Sequence, residues 1–169
     1  SSGNGNPGTP SSVTFGNASQ AVPGNNSASF PSASSAHILT SYNPALYQGV
    51  TVEAWVNLNS LSQSGNPRIV ANSHTDVDDA GFELMLSGTT PQVWFGNGTL
   101  TNHLTAGSPL ASTGWTHLAG TWDGTTVTLY VNGVSQGTAA LAGDMPAGTA
   151  TGTGIGYNPA YSGDYINGL

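Results

Sequence analysis

The segment Asn72-Ser73-His74-Thr75-Asp76-Val77-Asp78-Asp79-Ala80-Gly81 gathers the oxygen donors of an otherwise weakly charged sequence. Asp76, Asp78 and Gly81 fall at positions one, three and six of an EF-hand-like loop, and calcium favours oxygen-rich loops turned by glycine. Position five is Ala80 and position twelve is Ser87 in place of glutamate, so the segment is no EF-hand. Asp76, Asp78 and Asp79 are expected to hold calcium if Asn or backbone oxygens complete the set; otherwise they form a solvated acidic loop.

Other constellations bear on sugars. A carbohydrate is held by an aromatic platform with amides and carboxylates reaching its hydroxyls. Tyr157, Asn158, Tyr161 and Asp164, followed by Tyr165, make such a loop, with the alternative that they cover one end of the fold. Tyr42 and Tyr47 are freer aromatics, whereas Trp55, Trp94, Trp115 and Trp122 sit in strand-like runs and are expected in the core. Glycoside hydrolysis needs two carboxyl groups about 5 to 10 Å apart, and no spacing pairs Glu53 or Glu83 with a second one. The histidines His37, His74, His103 and His117 show no HExxH or close-pair spacing, and no Ser/His/Asp arrangement can be placed. No catalytic residue is assigned, and no enzyme activity is expected.

These side chains must be positioned by a chain of 169 residues, a length suited to one domain. Only 5% of the residues are charged against 37% hydrophobic, so solubility rests on Ser, Thr, Asn and Gly. Arg68 is the single basic side chain, and a net charge of −7 cannot neutralise a phosphate backbone or hold an anionic membrane surface. Nucleic acid and membrane partners are excluded on that ground. There is no cysteine, hence no disulfide or thiolate metal site. The start at Ser1-Ser2-Gly3 and the absence of a long apolar run suggest a mature extracellular or cell-surface piece. Sequons at Asn17, Asn25 and Asn97 lie in turn-like settings that would suit glycosylation.

Residues 1–12, rich in Gly, Pro, Ser and Asn, have the composition of a flexible linker or N-terminal arm, and 13–169 form the domain. Short runs then recur between turn residues: Ala28–Phe30, His37–Thr40, Val50–Val56, Arg68–Ala71, Phe82–Leu86, Gln92–Phe95, Trp115–Trp122, Thr126–Val131 and Thr153–Tyr157. That spacing predicts an all-β sandwich with little helix. Alternation puts Val52, Ala54 and Val56 on one face and Glu53, Trp55 and Asn57 on the other. Val127, Leu129 and Val131 turn inward, and Asp123-Gly124 and Asn132-Gly133 each offer two positive-φ turn positions.

Val50-Thr51-Val52-Glu53-Ala54-Trp55-Val56, Gly81-Phe82-Glu83-Leu84, Trp115-Thr116-His117-Leu118-Ala119-Gly120-Thr121-Trp122-Asp123-Gly124 and Val127-Thr128-Leu129-Tyr130-Val131-Asn132-Gly133-Val134 follow one another in order. Together they resemble successive strands of the laminin-G-like jelly roll within the concanavalin A-like lectin/glucanase superfamily, from about Asn26 to Leu169. The resemblance implies an antiparallel two-sheet sandwich. It also implies a non-catalytic extracellular module for adhesion, carbohydrate binding or surface structure, with a glycan or a cell-surface or matrix polymer as partner. The E-x-D-x-E strand of superfamily glucanases is absent, which leaves an accessory domain of a glycosidase as a third reading. Where relatives carry calcium-binding acids after the first core strand, this sequence has Phe30-Pro31-Ser32-Ala33-Ser34-Ser35. Relatives continue beyond a segment like Tyr165-Ile166-Asn167-Gly168-Leu169 into a further strand. A self-assembling filament or surface-layer subunit, whose gap is filled by a neighbour's N-terminal arm bearing Val13 and Phe15, is therefore the alternative; the arm closing its own sandwich is the simpler case.

Overall fold

A computed structural model describes residues 5–18, 24–43, 49–111 and 113–168. Its strands are β1 (Gly8–Ser11), β2 (Thr14–Ala18), β3 (Asn26–Ser29), β4 (His37–Thr40), β5 (Val50–Val56), β6 (Arg68–Ala71), β7 (Ala80–Ser87), β8 (Thr90–Asn97), β9 (Thr101–Thr105), β10 (Thr116–Trp122), β11 (Thr126–Val131), β12 (Val134–Ala140) and β13 (Gly154–Ile155). A single α-helical turn, α1 (Thr75–Asp78), and a 3₁₀ turn at Ser32–Ser34 complete the described elements. No helix among the described residues is long and apolar enough to cross a membrane.

The strands form a seven-stranded sheet in the order β1-β4-β13-β6-β7-β8-β9, a four-stranded sheet in the order β12-β11-β10-β5, and the small ribbon β2-β3. All the named strand pairs are antiparallel. The expected all-β, two-sheet sandwich is the architecture of the chain. Its core lies between the large and middle sheets, where Leu84, Leu86, Val93 and Phe95 of β7 and β8 meet Leu118, Trp122, Val127 and Leu129 of β10 and β11. Gly120 allows the two sheets to approach closely, because a Cβ there would fall inside the Val93 side chain. Trp122 packs 6.2 Å from Phe95, and its indole N–H donates to the Leu141 carbonyl at 2.6 Å, which satisfies the one polar atom the core ring carries.

Period-two patterning decides which side chains reach this core. Val52 and Val56 are buried while Trp55 is 45% exposed, so β5 follows its alternation. Asn132 and Gly133 take φ of 50° and 77° at the β11–β12 turn, as a tight hairpin requires. The β10–β11 turn differs from expectation. Of its two residues only Gly124 has a positive φ, and Asp123 holds the turn through its carboxylate instead, accepting Thr125 and Thr126 N–H groups at 2.9 and 2.7 Å. Those bonds, with one from the Thr125 hydroxyl, lower the Asp123 pKa.

The N-terminal stretch is not free. Gly8–Ser11 pairs with β4 as the edge of the seven-stranded sheet, Thr14–Ala18 pairs with β3, and Val13 packs against the core. The linker composition of residues 8–11 thus yields an edge strand. Pro10 is tolerated there because an edge strand has one side with no ladder to feed. The segment expected to reach a neighbour lies on its own domain, with Phe15 59% exposed on the β2–β3 ribbon.

Candidate functional site

The outer face of the seven-stranded sheet carries the most elaborate polar structure in the chain. Alternation that sends Phe82, Leu84 and Leu86 inward turns Glu83 outward, and the register sets Glu83 beside Ala71 on β6 and Trp94 on β8. Trp94 in turn lies opposite His103 on β9. Glu83 is buried nonetheless, with 1% exposure, because residues 158–164 fold back over β6 and β7. Its Oε2 accepts Arg68 Nε and Nη2 at 3.2 and 2.9 Å, and its Oε1 accepts the Thr75 N–H and Asn158 Nδ2 at 3.2 and 3.0 Å.

Arg68, also buried, divides its remaining donors between the Asn66 carbonyl at 2.7 Å and the Asp164 carboxylate. A charge taken out of water is tolerable when its hydrogen-bonding positions are met, and this network fills four acceptor positions on Glu83 and four of the five N–H donors of Arg68. Tyr161 lies over the guanidinium at 6.0 Å, 4.7 Å from the His74 ring, and its hydroxyl donates to Asp164. Burial first and the Asp164 bond second push the Tyr161 phenol well above its ordinary pKa, so it remains a donor.

The candidate sugar loop therefore divides into structural and exposed parts. Asn158 is fully buried, donating to the Ser73 carbonyl at 3.1 Å as well as to Glu83. Tyr157 is buried, stacked on Tyr165 at 5.8 Å and set 4.2 Å from His37; burial raises its phenol pKa, helped by Tyr165. Those two residues pack the end of the sheet. Tyr161 is 43% exposed, and the Asp164 side chain 28%, so these two reach solvent.

The strand-like runs put Trp55 and Trp94 in the core, although the β5 alternation already turned Trp55 outward, and both lie outside it. Trp94 stacks on His103 with centroids 4.0 Å apart and planes 11° from parallel, and its indole N–H reaches Gln92 Oε1 at 3.3 Å. Gln92 Nε2 donates to Thr105 Oγ1 at 2.9 Å. On the four-stranded sheet, Trp55 lies 5.1 Å from the ring of His117, whose Nε2 is 3.2 Å from Glu53 Oε2. The missed signal was available in the β8 alternation, since Val93 and Phe95 as inward residues force Trp94 out.

The acidic loop does not assemble a calcium centre from its described donors. Asp78 Oδ2 accepts the His74 N–H at 3.2 Å and the Thr149 hydroxyl at 2.5 Å, whereas Asp79 Oδ1 accepts the Thr101 hydroxyl at 2.7 Å. The two carboxylates tie α1 to different neighbours, and the side chain of Asp76 lies outside the described set. Thr75 Oγ1 is buried with no hydrogen-bond partner among the described residues, but one neutral oxygen is far from the six to eight that calcium takes. No group of three His, Cys, Asp or Glu among the described residues converges as metal ligands would. Among the sequons, Asn25 is exposed, Asn17 donates to the Thr14 carbonyl, and Asn97 donates to the Ala142 carbonyl at 2.8 Å while accepting from Thr99 and Leu100. Tyr42 is exposed, and Tyr47 lies outside the described residues.

Residues 23–169 match a family model described as the concanavalin A-like lectin/glucanases superfamily. No curated protein sequence matches the chain. Among solved structures, domain 4 of AbnA, a GH43 extracellular arabinanase from Geobacillus stearothermophilus in complex with arabinotriose, is similar at a TM-score of 0.65 and 17% identity, over 96% of this chain and 78% of that one. The CBM40 of the Ruminococcus gnavus IT-sialidase bound to α2,3-sialyllactose is similar at 0.56 and 14%, over 73% and 71%. Domains LG4-5 of the mouse laminin α1 chain are similar at 0.62 and 12%, over 78% of this chain but only 36% of that one. At such identities the likeness establishes the fold and nothing finer.

Proposed function

Since the chain belongs to the concanavalin A-like lectin/glucanases superfamily, whose fold serves many functions, we propose from its surface chemistry that it is a non-catalytic carbohydrate-binding module used in adhesion or surface structure. The observation that carries this reading is the Trp94–His103 stack, two parallel rings laid against each other on the outer face of the seven-stranded sheet with His103 the more exposed of the two. Gln92 and Thr105 beside it offer an amide and a hydroxyl to sugar hydroxyls, and the Tyr161 loop rises over β6 and β7 on the same face. An aromatic floor with few polar groups around it is what a pyranose or furanose ring needs. The sugar-bound domains among the similar folds support the same reading.

Catalysis is disfavoured at this face by saturation of its one buried acid. All four acceptor positions of Glu83 are taken by Arg68, Thr75 and Asn158, so it has none left for a proton or an anomeric carbon. An extracellular or cell-surface setting fits the polar, weakly charged composition. Affinity electrophoresis in gels containing soluble polysaccharides tests the proposal: the wild-type chain is retarded by at least one, and Trp94→Ala is not. Equal retardation of Trp94→Ala, with unchanged circular dichroism, would remove the site from this face.

Assembly by strand addition is a second reading, favoured by a different observation. The chain pairs β5 with β10 on one side only, and beside its other edge runs a cleft lined by Phe30, Ala54, Trp55, Ile69, Ile155 and Ile166. An extended segment of a second copy, apolar at alternate positions, would satisfy both the edge and the cleft. Electron microscopy and size-exclusion of the native material test it. Loss of assembly on deleting residues 1–16 would make the N-terminal stretch the donor, after it has left β3 and β4.

A further inference from the structure

Resting on the carbohydrate-binding reading, we infer that the ligand is an uncharged glycan, and that sialylated, uronate-containing or sulfated glycans are rejected. The argument begins with the supply of cations. A protein holds a carboxylate or sulfate ester with Arg or Lys, with His when protonated, or with clustered N–H groups. This chain has one Arg or Lys in all, Arg68, and that residue is 3% exposed. Its Nε and Nη2 are committed to Glu83, and its Nη1 to Asn66 and Asp164. Recruiting it to a ligand would strip the buried Glu83 of its counter-charge, so the sole basic side chain is closed to ligand chemistry.

The surroundings of the aromatic patch carry the opposite sign. On one flank Asp164, partly exposed, is bound by the Tyr161 hydroxyl. On another, Asp79 is held by Thr101, two residues before His103 on β9. The whole chain bears a net charge of −7, so an anionic sugar approaches a like-charged surface with no cation to receive it. What the patch does offer is the stacked Trp94–His103 ring pair, the Gln92 amide and the Thr105 hydroxyl. Those groups recognise C–H faces and hydroxyls, which every neutral hexose or pentose presents.

A matched panel tests this. Neutral arabinan, galactan and glucan oligosaccharides are compared by microarray and calorimetry with sialylated, uronate-bearing and sulfated counterparts at pH 7.5. The salt is kept low, because at about 0.01 M the Debye length reaches ~30 Å and charge discrimination is greatest. The expected result is retention of at least one neutral glycan, with its anionic counterpart about tenfold weaker or more. Raising the salt should narrow that gap.

Thr105→Lys puts a cation one same-face step, about 7 Å, from the position opposite Trp94, and should strengthen the anionic counterpart relative to the neutral one. An anionic glycan bound as well as or better than its neutral partner in the wild-type chain overturns the charge inference and leaves the carbohydrate-binding reading standing. Failure to bind either class overturns the carbohydrate-binding reading, and the charge inference falls with it.

Discussion

Two tryptophan–histidine pairs face solvent on opposite sides of the sandwich, and each is a directly opposed cross-strand pair. Trp94 and His103 sit on β8 and β9, and Trp55 and His117 on β5 and β10. Their geometries differ: the first pair is 11° from parallel at 4.0 Å, the second tilted by 48° at 5.1 Å. The acid that neighbours each differs as well. Glu53 contacts His117 at 3.2 Å and gives its imidazole a polar partner at the side, whereas Glu83 beside Trp94 is buried and engaged with Arg68. The first histidine lies flat on its tryptophan, so that stack can offer a sugar ring only an outer ring face and the ring edges. Two directly opposed pairs of the same residue types thus differ in geometry and in what stands next to them.

The sharpest way to break this contrast is to remove the support beneath the first pair. Arg68→Ala leaves Glu83 buried without its counter-charge and should cost about 3–5 kcal/mol in urea unfolding. Glu53 has a 63% exposed side chain, so Glu53→Gln should stay near the surface-pair range of about 0–1 kcal/mol. Comparable losses from both substitutions would mean that the two acids are not buried and exposed as described.

Next in size is the effect on binding. Trp94→Ala should cost about 2 kcal/mol, near thirtyfold in Kd, for whichever polysaccharide retards the wild-type chain. Trp55→Ala should leave that Kd within about twofold, since its patch lies on the other sheet. If Trp55→Ala carries the loss and Trp94→Ala does not, the platform is the tilted pair, and flatness is not what the sugar selects. Unfolding midpoints of both variants separate lost binding from lost fold.

Much of the fold was legible because its signals are local. The inward rows Val52/Val56 and Val127/Leu129, the Asn132-Gly133 turn and the boundaries of β4, β5, β6 and β11 all follow from alternation and turn chemistry within a few residues. The strand that escaped notice, β9, reads TNHLT, and β12, reading VSQGTAA, was signalled only by the Asn132-Gly133 turn before it; both lack an apolar row, because they contribute few core side chains. The edge strand Gly8–Ser11 escaped for a related reason: its four residues are all exposed, and backbone bonds to His37–Thr40 hold it.

The site was less legible, since it is made of long-range pairs. Arg68 is 15 positions from Glu83 and 96 from Asp164, so no window of sequence contains that network. Without the network, Tyr157 and Asn158 looked as available as Tyr161 and Asp164. Burial of the first two depends on Arg68 drawing the 158–164 segment onto the sheet. The partners of the acidic loop were hidden for the same reason, because Thr149 and Thr101, which bond Asp78 and Asp79, lie far along the chain.

The smallest expected effect bears most directly on why the second pair is tilted. If Glu53 draws His117 aside, removing its charge should let the imidazole settle toward the Trp55 face without any large change in stability. A double-mutant cycle of Glu53→Gln and His117→Gln should then give a coupling of no more than about 1 kcal/mol, because Glu53 is solvent-exposed, His117 is partly so, and the contact is screened. The coupling should shrink as salt is raised, and it should be greater at a pH where the imidazole is protonated, since the contact is an ion pair only in that state. In Glu53→Gln itself, the His117 ring protons should move upfield as the imidazole comes under the indole current. Unmoved shifts would show that packing against β10, and not Glu53, sets the tilt, and the contrast between the two faces would then rest on backbone twist in place of charge.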